Sequence, residues 1–113
     1  MSDAFTLSPI PRLVVVRAGG AIIGESRNAL SLKEGRLPER IYIPREDIGM
    51  AFLEPSETRT RCPHKGEAQY YSIVAKSGPI PDAGWSYEDP VPAAEAIRGH
   101  LAFSHEKVTV EAL

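Results

Sequence analysis

The chain has 113 residues, 42% of them hydrophobic and 25% charged, enough for one compact core and too little for two. Its formal net charge is -2 and its Lys and Arg residues are scattered, which argues against nucleic acid as a partner, because counterion release from phosphates needs clustered cations. The longest aliphatic run, residues 13–16, is far too short to span a bilayer, the opening residues lack the basic start and apolar stretch of a signal peptide, and a single Cys excludes an internal disulfide, so the expectation is a soluble cytoplasmic protein without membrane contact.

In chain order, residues 1–11, with Pro9 and Pro11, read as a loose N-terminal arm, and residues 12–113 as a single β-rich domain. The stretch "LVVVRAGGAIIGES" places β-branched runs on both sides of Gly19-Gly20, a pair that supplies the positive φ angles of a tight hairpin. "ALSLKE" reads as a strand or one helical turn. Further strands are predicted at "RIYIP" (40–44), "AQYYSIVA" (68–75), "GWSYE" (84–88), "LAFSH" (101–105) and "KVTVE" (107–111), each short, alternating and bounded by Gly, Pro or charge. Only "DPVPAAEAIRG" predicts a helix, of about two turns, with Asp89 as N-cap, Pro90 and Pro92 in the first turn and Gly99 at the left-handed C-terminal position. The fold class is therefore mainly β, α+β by strict count. About seven antiparallel strands form a two-sheet sandwich or half-open barrel with one short helix, because short turns leave no room for parallel crossovers.

Candidate site residues lie at three places. Arg45, Glu46 and Asp47 follow Pro44 at a strand end, where a guanidinium fork can orient an anionic or carbonyl group and a carboxylate such as Glu46 can act as a base; a solvated turn explains them equally. In "RCPHKGEAQYY", Cys62 is the sole thiol, with His64 and Lys65 close by to favour its thiolate; a small buried side chain is the competing explanation. In "GWSYEDP", Trp85 and Tyr87 share one strand face and Ser86 and Glu88 the other, so the aromatic pair serves as core or as the wall of a ligand pocket. Tyr70 and Tyr71 must point to opposite faces, leaving only one for the core. One Cys and three His are too few for a structural zinc site, and no cofactor motif is present.

The ordered set "IPREDI" (43–48), "CPHKGEAQYYS" (62–72) and "AGWSYEDPVPAAEAIRGHLAF" (83–103) resembles the domain-of-unknown-function family number 427 over roughly residues 12–111. The resemblance implies a small β-rich domain of bacterial type, similar to the two-sheet β-tent arrangement, with no established role. Here His64 stands where the family usually has an aromatic residue, and Ser104 where it often has Tyr. That family is sometimes labelled a nucleotidyltransferase, yet this sequence has no Gly-Ser turn followed by paired metal-binding aspartates and no Gly-rich phosphate loop. The functional expectation is a small-ligand-binding β domain whose site combines Arg45, Glu46, Cys62, Lys65, Trp85 and Tyr87 around a small anionic or carbonyl compound. Whether it is an enzyme, and its oligomeric state, are left open. The alternative is a protein-interaction module without catalysis, built on an exposed strand edge or aromatic patch.

Overall fold

The computed structural model describes residues 4–113. Ten strands follow in order: β1 Thr6–Pro9, β2 Val14–Ala18, β3 Ala21–Ser26, β4 Leu30–Lys33, β5 Arg40–Tyr42, β6 Leu53–Cys62, β7 Gly66–Ala75, β8 Gly78–Ser86, β9 Ala102–Phe103 and β10 Thr109–Ala112. They form three antiparallel sheets, ordered β1-β4-β5, β10-β2-β3 and β6-β7-β8-β9. No helix among the described residues is long and apolar enough to cross a membrane.

The β2–β3 hairpin forms as its glycines dictate, with Gly19 at φ 55° and Gly20 at φ 81°, the geometry whose twist matches the flanking strands. "ALSLKE" resolves to strand β4. Three features differ from the sequence expectation. Thr6–Pro9 are a strand paired with β4 rather than part of a loose arm, because "LSLK" offers an edge for them to complete; residues 1–3 lie outside the described residues. β6 is also unforeseen: "LEPSETRTRC" is polar and mostly exposed, so it carries no alternating apolar signal, and pairing with β7 alone makes it a strand. Its Pro55 is tolerated because β6 is a sheet edge.

The third difference is the helix. Pro92–Ile97 is a 3₁₀ segment broken at Ala94 (φ -108°, ψ 16°), capped at Val91 and not at Asp89, with no side-chain cap bond. Its bonds run from Ala94 N to the Val91 carbonyl (2.9 Å), Arg98 N to Glu95 (3.0 Å) and His100 N to Ile97 (3.0 Å). Three residues per turn brings Ala94 and Ile97 onto one face, and both are buried; packing thereby selects the tighter winding. Gly99 does adopt the expected positive φ, 70°.

In place of one core between two sheets, the four-stranded sheet is covered on both faces. Tyr71, Ile73, Ala83 and Phe103 pack with Val14, Val16 and Ile23 of the β10-β2-β3 sheet. Ala68 and Ala102, alternating with Tyr71, Ile73 and Phe103, pack together with Tyr87 against Leu32 and Tyr42 of the β1-β4-β5 sheet and against Ala94 and Ile97. Tyr70 and Tyr71 point to opposite faces as expected: Tyr71 is buried in the first cluster, while Tyr70 is only half-buried against the second and keeps part of its surface free.

Candidate functional site

On the second of these faces, where the β4–β5 connection meets β7 and β8, lies a cleft of about 240 Å³ lined by Leu32, Glu34, Leu37, Pro38, Arg40, Tyr42, Lys65, Tyr70, Trp85 and Tyr87. Three of the four tyrosines and the only tryptophan of the chain are gathered there. Local backbone geometry explains how. Tyr70 and Trp85 are direct cross-strand partners, so their rings meet at 5.8 Å with a 37° tilt. Tyr42, from β5, brings its ring to 6.4 Å from Tyr87 and its hydroxyl to the Trp85 indole N–H, which donates to it at 3.4 Å. Arg40, two residues earlier on the same strand, lays its guanidinium 4.9 Å from the Trp85 ring centroid and donates from Nη1 to the Phe103 carbonyl at 2.8 Å.

Lys65 is placed by a turn through Pro63 and His64, in which its N–H donates to the Cys62 carbonyl (3.2 Å). Gly66 follows at φ 118°, and a Cβ there would meet Pro90 Cα at 3.3 Å, which is why the turn ends in glycine. The Lys65 carbonyl accepts from Val91 N–H (3.0 Å), and its ammonium, only 7% exposed as a residue, donates to Glu34 Oε1 at 2.6 Å. Burial by itself would lower the Lys65 pKa, but the Glu34 bond together with Tyr42 and Cys62 outweighs it, and the pKa lies above the ordinary lysine value. Burial raises the Tyr87 and Tyr42 phenols, in Tyr42 against the opposing bond from Trp85, so both hydroxyls are protonated at neutral pH.

The structure brings together three of the six predicted site residues, Lys65, Trp85 and Tyr87. Arg45 is on the opposite face of the sheet, in a 3₁₀ turn after β5, where it donates to Gly99 O (3.1 Å), Ser86 Oγ (3.3 Å) and Glu88 Oε2 (2.7 Å) and lies near the Tyr71 hydroxyl (3.4 Å). Tyr71 in turn donates to Glu88 at 2.5 Å. The expected convergence of Arg45 with Lys65 and Trp85 is not realised, because alternation along β8 sends Ser86 to the face away from Trp85. Glu46 is exposed and makes no hydrogen bond among the described residues, while its neighbour Asp47 accepts from Ser26 Oγ at 2.6 Å. Cys62 is half-buried against the second cluster and does not line the cleft; His64 is exposed beside a separate depression of about 410 Å³ with Phe5 and Ala93. Among the described residues no three of His, Cys, Asp and Glu come together as metal ligands would.

A second, polar depression of about 510 Å³ borders the Arg45 network, lined by Arg59, Arg61, Glu67 and Gln69 on one side and Glu88 and Asp89 on the other. Sequence reasoning did not single out Glu34, Arg40 or Tyr42. The alternation of Arg40 and Tyr42 in "RIYIP" was the available signal; for Glu34 there was none, since its partner is 31 residues away.

A family model described as Domain of unknown function (DUF427) matches residues 6–112. No curated protein matches the chain.

Proposed function

The chain belongs to the DUF427 family, whose description states a domain and no activity, and from that premise we propose that it binds a small, flat, anionic or carbonyl compound in the cleft between β5, β7 and β8. The observation that supports this reading is the gathering of Tyr42, Tyr70, Trp85 and Tyr87 around two cations, Arg40 and Lys65, in one concavity. Flat apolar walls with a few directed polar groups are how small-ligand pockets are built. The protonated phenols of Tyr42 and Tyr87 and the ammonium of Lys65 are donors suited to an oxyanion or carbonyl oxygen. Lys65, Trp85 and Tyr87 are the ligand-binding residues of this proposal, joined by Arg40; Arg45 is assigned to holding β7, β8 and the segment at Gly99 together. Binding, not conversion, is the function proposed, in a cytoplasmic setting and without nucleic acid.

Trp85 is the only tryptophan, so emission near it reports on one place. A screen of small ring carboxylates and carbonyl compounds should find binders that change this emission, with Arg40→Gln and Lys65→Gln each weakening the response. A screen in which no compound alters Trp85 emission removes the proposal. A second reading, protein interaction without catalysis, is favoured by one observation, the outer edge of β6, ten mostly exposed residues that pair with no further strand among the described residues.

A further inference from the structure

The charges of the aromatic cleft do not balance, and the imbalance is specific. Lys65 is matched by Glu34 at 2.6 Å, with side-chain exposures of 9% and 20%. Arg40 has no ion pair among the described residues; its partners are the neutral Phe103 carbonyl and the face of Trp85. Glu39, next to it in sequence, instead accepts from the Ser31 hydroxyl. Among the described residues two cations and one carboxylate therefore line the cleft, one positive charge in excess. The volume, about 240 Å³, lies below the roughly 300–1,000 Å³ of sites for drug-sized ligands, so a single ring with one acid group is the scale of the occupant.

Resting on the reading of this cleft as the ligand site, we infer that Glu34 sets the charge of the ligand: the cleft takes a flat monocarboxylate held at Arg40, and Glu34 excludes a second negative charge. Lys65 spends its ammonium on Glu34 and presents no unmatched charge. A second acid group on a ligand held at Arg40 would share this small cleft with the Glu34 carboxylate, and like charges confined together repel. Glu34 thus acts as a specificity-determining residue through repulsion, while Tyr70, Trp85 and Tyr87 select for a flat ring.

The test compares probes that differ by one group, titrated against Trp85 emission: benzoate, isophthalate (the same ring with one more carboxylate) and the neutral benzamide. The wild-type chain should favour benzoate over both. Glu34→Gln raises the excess from one positive charge to two, so the benzoate-to-isophthalate ratio of dissociation constants should move toward isophthalate by at least about fivefold, the effect of one charge pair some 4 Å apart even in bulk water. Lys65→Met leaves Arg40 balanced by Glu34, and the preference for benzoate over benzamide should disappear. That second variant keeps the inference open to refutation should Glu34→Gln fail to fold. Ratios unchanged in the folded variants overturn the role of Glu34 and leave the cleft standing. No emission change with any probe in any of the proteins overturns the cleft reading itself.

Discussion

The two faces of the β6-β7-β8-β9 sheet are built from the same short stretches of chain, each is covered by an apolar cluster, and their charged groups are treated differently. Along residues 85–88, Trp85 and Tyr87 go to one face and Ser86 and Glu88 to the other; along 70–71, Tyr70 joins the first and Tyr71 the second. Each face receives an arginine from the segment around β5, Arg40 on one and Arg45 on the other. The difference lies in what those arginines meet. Arg45 finds a carboxylate, a backbone carbonyl and two hydroxyls, which together engage four of its five N–H donors within the protein. Arg40 finds a carbonyl and a ring, and has no ion pair among the described residues. A cation that the fold has already neutralised holds strands together; one left in excess beside aromatic walls is available to a ligand.

The largest blow to this comparison should come from Phe103, which serves both faces. The residue is 1% exposed in the first cluster, and its carbonyl anchors Arg40 over Trp85 on the other side. Phe103→Ala is expected to lose about 3–5 kcal/mol of stability, read as a lower urea midpoint. It should also shift Trp85 emission before unfolding begins; unchanged emission would mean that the two faces are independent layers.

Alkaline pH separates the faces next. The folded-state pKa values of Tyr42, Tyr87 and Lys65 lie above their unfolded values, so the stability that they contribute is complete below about pH 10 and is lost as pH rises through the folded values. Burial raises Tyr71 as well, but its bonds to Glu88 and Arg45 act in opposite directions. Thermal midpoints from pH 8 to 12 should therefore fall less steeply in Tyr87→Phe than in Tyr71→Phe. Equal slopes would show that the aromatic cleft is no drier than the surroundings of Tyr71 and Arg45.

The smallest effects sharpen the division of labour within residues 45–47. Arg45→Met removes bonds to Gly99, Ser86 and Glu88 and should cost about 1–2 kcal/mol, since the buried Ser86 hydroxyl loses a partner while the half-exposed Glu88 is solvated. Glu46→Gln, at an exposed position without a hydrogen bond among the described residues, should stay within about 0.5 kcal/mol. Neither should alter a ligand response at Trp85. A response that weakened in Arg45→Met would return Arg45 to the site.

By itself the sequence determined what nearest-neighbour geometry controls. Gly19-Gly20 compels a tight hairpin because only glycine takes two successive positive φ angles cheaply, and the alternation Trp85-Ser86-Tyr87-Glu88 sorts side chains onto two faces whatever covers them. The β-rich class and the family resemblance were legible for the same reason, being sums of local patterns. Tertiary structure alone decided the rest. It made a strand of the polar "LEPSETRTRC" by supplying β7 as a partner, and wound Pro92–Ile97 as 3₁₀ by burying Ala94 and Ile97 together. It sent Arg45 and Lys65 to opposite faces, and brought Glu34 across 31 residues to an ammonium that the sequence left unpaired. Backbone preferences act over a few residues, whereas the partner of a buried charge and the covering of a sheet face are set by whichever distant segment excludes water there, and no local pattern encodes that choice.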